Sequence, residues 1–152
     1  MNNARPRVLV IHGPNLNLLG RRETNIYGSL SLEDIDRRLQ EKAGALGLEL
    51  EIVQTNHEGV MVEIIQKAMQ GYAGIVINPA AFSHYSIAVR DALAAVPVPA
   101  VEVHLSNIYT REEFRRHSVV APVVKGQISG LGPQGYLLAL EAVAAMAGGG
   151  NQ

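Results

Sequence analysis

Short apolar runs in this chain alternate regularly with longer segments of helical period, and few chain folds accommodate that order. Strand patterns fall at Val8 to His12, Leu48 to Val53, Gly74 to Ile77, Ala100 to His104 and, more weakly, Gly126 to Ser129. Between them lie helical patterns that predict a doubly wound α/β sheet of five parallel strands. Ser31, followed by acidic residues in the first turn, caps a helix that stops at Gly47. A second helix covers Val60 to Gln70, a third runs from near Ser86 to Ala95 before Pro97 and Pro99, and a last one covers Gln134 to Met146. Thr110 with Glu113 reads as a capping box opening a short helix through Arg116. The strands are apolar enough to be buried on both faces.

Right-handed crossovers between five such strands favour the flavodoxin-like order 2-1-3-4-5. Ligands of such sheets bind beyond the carboxyl ends of the strands at the switch point, so the loops after strands one, three and four share a cleft. At 152 residues the chain suits one domain, with about 1–6 and 147–152 as flexible tails. No apolar run approaches the roughly 18 residues of a membrane span, and the polar Met1 to Pro6 segment lacks the core of a secretory signal. With no cysteine, these features predict a cytoplasmic protein without disulfides or thiolate chemistry. A net charge of −1 provides no electrostatic footprint for nucleic acid. The expected partner is a small molecule.

The first switch-point loop, GPNLNLLGRRETNIYG at 13–28, is long for a compact domain and is read as a binding loop or lid. It carries Asn15, Arg21, Arg22 and Tyr27. A guanidinium within roughly 4 to 6 Å of a phenol pulls its pKa down from about 10, which yields a usable base. On strand four, Glu102 and His104 are two residues apart and point to one face, with Val101, Val103 and Leu105 on the other. A carboxylate beside an imidazole fixes its tautomer, as acid–base work requires, although two such groups on an edge strand also simply satisfy each other. Ser106 and Asn107 follow at the strand end, where backbone amides suit an anion. Asn78 sits where strand three reaches the switch point, and His84 lies in the loop beyond it. Arg111, Arg115 and Arg116 follow His104 closely and read either as a solvated face or as groups reaching the cleft. Asp91 beside Arg90 reads as a surface charge pair.

Several chemistries lack their residues. Strand one is not followed by GxGxxG or a Walker-type loop, no HExxH or other histidine set points to a metal, and none of the three lysines is placed as a buried Schiff-base amine. Cofactor-free proton transfer on an anionic small molecule remains. The competing reading is a non-catalytic flavodoxin-like binding module. A receiver needs aspartates where this chain has His12 and Asn78, and a flavin carrier needs a hydroxyl- and glycine-rich loop where it has Pro14, Asn15 and Leu16.

Over nearly its whole length the chain resembles the type II 3-dehydroquinate dehydratases. The resemblance rests on GPNLNLLGRRETNIYG, TNHEG at 55–59, INPAAFSHYSIAVRDAL from 77, VEVHLSNIYTREEFRRHS from 101 and GQISGLGPQGYLLALE near the end. It implies dehydration of 3-dehydroquinate to 3-dehydroshikimate, a step common to shikimate synthesis and quinate breakdown, with no cofactor and no metal. It also implies a homododecamer of four trimers. Tyr27 would be the base, with Arg22 lowering its pKa, Asn15 would hold a water at the enolate oxygen, and His104, oriented by Glu102, would be the acid. Asn78, His84, Arg115 and the Leu105 and Ser106 amides would hold the substrate, Asp91 would reach in from a neighbouring subunit, and Arg111 would lie near the site. His57 and Glu58 have no implied catalytic role and read as local hydrogen bonding after strand two.

Overall fold

The structure is a computed structural model that describes residues 4–21 and 30–147. Five strands, β1 (Arg7–His12), β2 (Glu49–Gln54), β3 (Gly74–Asn78), β4 (Ala100–His104) and β5 (Gly126–Ser129), form one sheet, all parallel, in the order β2-β1-β3-β4-β5. This is the flavodoxin-like order that the alternating pattern predicts.

Side-chain alternation divides the core in two. Val8, Val10, Val76, Val101 and Val103 face α1 (Leu32–Leu46) and α4 (Pro133–Ala147). Leu9, Ile11, Ile75, Ile77 and Ala100 face α2 (Glu58–Lys67) and α3 (Ile87–Ala95). Each helix therefore buries one apolar stripe, and each fully buried Val, Leu or Ile contributes about 1.5 to 3 kcal/mol. Continuous burial holds for β3 and β4, but β2 and β5 do not follow the expectation of strands covered on both faces. Both are edges, and the acidic and polar residues of Glu49–Gln54 leave β2 exposed to intermediate throughout.

Helix starts follow their caps. Ser31 and Asp34 form a reciprocal capping box, and Ser86 accepts from the Val89 amide at 3.0 Å. Gly47 ends α1 at φ 74°, a left-handed conformation that costs a residue with a β-carbon roughly 1 to 2 kcal/mol. The expected capping box at Thr110 is absent. Asn107 caps this region instead, its side chain accepting from the Tyr109 amide at 3.0 Å, so Thr110 ends a 3-10 turn (Ile108–Thr110). A second 3-10 turn spans Glu113–Arg116 and starts from Glu112 without a side-chain cap. Consecutive short turns, in place of one helix, bring Arg111 and Arg115 back over the end of β4.

Candidate active site

At the carboxyl ends of β1, β3 and β4 the chain leaves the sheet in three loops. Two of them touch through main chain: the Gly13 amide donates to the Asn78 carbonyl at 2.8 Å. A β-carbon at position 13 would lie 2.7 Å from the carbonyl carbon and oxygen of Pro79, so only glycine permits this approach. Asn15 and Ala80 are the two non-glycine residues with positive φ among the described residues, at 70° and 53°. Both lie in these loops. Left-handed conformations at alanine persist only where the surroundings enforce them, and here the Ala80 amide donates to Asn78 Oδ1 at 3.0 Å.

The cleft between the loops is lined by Asn78, His84, His104, Leu105, Ser106, Arg111 and Arg115, with Leu16, Ala80, Ala81 and Ile108. Seven residues singled out in the sequence thus converge on one cavity. Glu102 lies directly behind His104. Asn15 is exposed beside the lining residue Leu16, and its amide is held by Asn56 Oδ1 at 3.0 Å. Asp91 is exposed on α3 and is not among the cleft-lining residues of its own chain. It also makes no charge pair with Arg90, whose guanidinium donates to the Val119 carbonyl at 3.0 Å. Tyr27 and Arg22 lie outside the described residues.

Glu102 is fully buried, and its carboxylate accepts from four side chains: His104 Nε2 at 2.7 Å, Ser83 at 2.7 Å, Ser118 at 2.9 and 3.0 Å and Gln127 at 3.0 Å. Burial pushes the Glu102 carboxyl up, but the His104 hydrogen bond and charge, with the bonds from Ser83 and Gln127, outweigh it and hold the group below the usual glutamate range. Buried charges are tolerated only when so paired. Because Nε2 of His104 is committed to this carboxylate, Nδ1 is the nitrogen left for chemistry, and it has no protein hydrogen bond among the described residues. The His84 ring stacks on that of His104, centroids 6.0 Å apart, and its Nδ1 donates to the His117 carbonyl at 2.8 Å. Burial pushes His84 below its ordinary value, so it presents Nε2 as an acceptor near neutrality.

On the cationic side, Arg111 Nη1 donates to Ser106 Oγ at 3.3 Å, and Arg115 Nε donates to Glu112 at 2.9 Å. Two guanidiniums that line the cleft with Ser106 suit a carboxylate. By contrast, a wider groove, about 960 Å³, lies at the opposite ends of β4 and β5, lined mainly by aliphatic residues and prolines with Lys125 and Gln127. It gathers no acid–base set.

The supports of the site do not stand out in the sequence. Ser83, Ser118 and Gln127 reach Glu102 from three separate segments. Gln54 donates to the Gly13 carbonyl at 3.1 Å and to Asn56 at 3.0 Å, so the end of β2 fastens the loop that carries Asn15. His57 is locally held, its amide donating to Thr55 Oγ1 at 3.0 Å, but Glu58 accepts from the Ser86 hydroxyl and so ties α2 to the start of α3. The serines that could have pointed to these contacts look like ordinary turn residues in sequence.

A flavodoxin-like α/β sheet with a buried carboxylate–imidazole pair facing an arginine-lined switch-point cleft defines a small-molecule acid–base enzyme. The family model described as dehydroquinase class II matches residues 6–144. The 3-dehydroquinate dehydratase of Desulforudis audaxviator is 62% identical over 136 residues, covering 90% of this chain and 91% of its own. That of Pelotomaculum thermopropionicum is 55% identical over 142 residues, 93% of this chain and 99% of its own. The crystal structure of type II dehydroquinase from Propionibacterium acnes superimposes with a TM-score of 0.90 at 49% identity, covering 95% of this chain and 99% of that one. The chain belongs to the class II dehydroquinase family and is a lyase.

Proposed function

We infer that the switch-point cleft dehydrates 3-dehydroquinate to 3-dehydroshikimate through an enolate, with residues of this chain in the following roles. Tyr27, as a phenolate favoured by Arg22, removes the proton from the carbon beside the ketone. The enolate charge that develops is met by a water held at Asn15, which acts on charge present only as the proton leaves. His104, protonated at Nδ1, gives its proton to the departing hydroxyl, and water is released. Glu102 holds the imidazole in place through Nε2, and Asn78, His84 and the Leu105 and Ser106 amides take the hydroxyls and carboxylate with Arg115 and Arg111. Lowering a phenol by two to three pKa units takes about 3 to 4 kcal/mol of preferential stabilisation of the phenolate, within reach of one or two nearby guanidiniums in a desolvated site.

The observation that carries this reading is the fully buried Glu102 carboxylate bound to His104 Nε2, which leaves Nδ1 for the cleft. A flavin carrier or receiver has no use for such a pair, and membership of the family does not favour a non-catalytic module. A single catalytic domain is part of the same reading, as are a cytoplasmic setting and a dodecamer of four trimers in which Asp91 completes a neighbour's site. The exposure of Asp91 within its own chain supports that last role. Incubation with 3-dehydroquinate is expected to raise the ultraviolet absorbance of the conjugated enone, and a flat trace at high enzyme concentration would reject the assignment. Tyr27→Phe is expected to abolish turnover while substrate still binds, as read by isothermal titration.

A further inference from the structure

The first switch-point loop is fastened from the rim of the sheet by two side chains that touch none of the groups assigned to the chemistry except through main chain. Gln54, the last residue of β2, pairs in register with His12, and the Thr55 amide donates to the His12 carbonyl at 2.9 Å, so β2 ends beside the start of that loop. Gln54 Nε2 donates to the Gly13 carbonyl at 3.1 Å and to Asn56 Oδ1 at 3.0 Å, with a longer contact to Asn17 Oδ1 at 3.4 Å. Asn56 Oδ1 in turn accepts from the Asn15 amide at 3.0 Å. Two side chains from one segment thus grip the main chain on both sides of Pro14.

We propose that Gln54 and Asn56 are positioning residues for the dehydration, which hold the Asn15 backbone in its left-handed conformation and thereby aim its side chain at the water that meets the enolate. The proposal rests on the reading of Asn15 as the holder of that water. Main-chain groups fix the polarity of the clamp. A backbone N–H only donates, so the Asn56 atom facing Asn15 is the oxygen, and a carbonyl only accepts, so the Gln54 atom facing Gly13 is the nitrogen. The two side-chain amides then meet N–H to oxygen, and flipping either one sets like against like. Neither group titrates. At φ 70° and ψ −4°, Asn15 occupies a conformation that asparagine visits as a single residue and that its surroundings must enforce. Its carbonyl accepts from the Leu18 amide at 3.0 Å, while its side chain makes no hydrogen bond among the described residues. The direction of that side chain is therefore set by the backbone that Asn56 holds. A group aimed at charge that develops in the transition state loses its worth steeply when misplaced.

A double-mutant cycle read in kcat tests this. Asn15→Ala should lower kcat with little change in KM for 3-dehydroquinate, the pattern of an interaction made with charge that exists only in the transition state. Asn56→Ala should lower kcat by about three- to tenfold, the worth of one neutral hydrogen bond, again at nearly constant KM. Asn15→Ala combined with Asn56→Ala should be no worse in kcat than Asn15→Ala alone, because Asn56 acts only through Asn15. Multiplying kcat effects in the double variant would overturn the proposal. Asn56→Asp keeps an acceptor oxygen towards both donors and should recover most of the loss, and a kcat as low as that of Asn56→Ala would count against the clamp. A purely structural Asn56 would lower melting temperature and active fraction but leave the kcat of the folded enzyme unchanged, which would overturn the proposal too. An unchanged kcat in Asn15→Ala would instead sink the underlying reading of Asn15. Should Asn56→Ala fail to fold, Gln54→Glu serves in the same cycle. It sets a carboxylate against the Gly13 carbonyl and Asn56 Oδ1, and a kcat equal to wild type would overturn the role of Gln54.

Discussion

Two polar networks lie on opposite faces of one sheet near the carboxyl ends of its strands, and they are built on different physics. The Glu102 network, on the α2/α3 face, concentrates four donor side chains on one buried carboxylate and touches the cleft through the His104 imidazole, the acid of the proposed reaction. The Asp36–His12–Tyr136 chain, on the α1/α4 face, is a single file that runs from a half-exposed carboxylate through a buried imidazole to a fully buried phenol. A convergent cluster stabilises charge, whereas a linear one ties separate elements together. The contrast teaches that burial of polar groups serves two separable ends, holding a charge at the site and fastening helices to the sheet.

The sharpest way to break this comparison is at the imidazole. His104→Asn should lower kcat by about 10²- to 10⁴-fold, the usual worth of a positioned general acid, in steady-state assays. A loss of less than tenfold would move His104 out of the proton path. Glu102→Gln tests the convergent cluster itself. Replacing a buried charge among donors arranged for it should destabilise the fold by about 3 to 5 kcal/mol in urea titrations and reduce kcat as well. Removing a single spoke is milder: Ser118→Ala should cost about 1 to 3 kcal/mol, since Glu102 keeps its other donors while the Val120 and Ala121 amides, at 3.2 and 2.9 Å from Ser118 Oγ, lose their acceptor.

The smallest expected effect is in pH dependence. His84 has a folded pKa below its ordinary value of 6.5, so its contribution to stability is complete above 6.5 and is lost as pH falls through the folded value. Glu102, also lowered, adds stability that is complete above 4.5 and disappears as pH falls through its own folded value. Urea midpoints followed from pH 7 down to about 2 should therefore decline in two stages, one beginning at 6.5 and one at 4.5, and His84→Gln should remove the upper one. An unaltered profile in that variant would refute the assignment.

Legibility in sequence divides along the same line as the networks. Glu102 and His104 are two residues apart on a strand, so their shared face can be read directly from the alternation. His12 and Tyr136 are separated by 124 positions, His12 and Asp36 by 24, and no local pattern joins them. In sequence Tyr136 is one more apolar residue of a helix, and His12 one more strand end. The strands and the helix stops at Gly47 and Ala95 follow from periodicity and caps because those are local, and the sheet order follows from the handedness of the crossovers that join them. Thr110 misled because Asn107, three residues earlier, offered a better-placed acceptor. The exposure of β2 is not legible locally, because apolar content does not say which strands end up on the rim.

The seam between Gly13 and Pro79 has a further consequence. Where the first and third loops meet, main chain abuts main chain, and a side chain exchanged deeper in the molecule cannot widen that join. Altering which molecules the enzyme accepts must therefore proceed through the walls, at residues such as Ser106, Arg111 and His84, while the floor stays constant from one variant to the next.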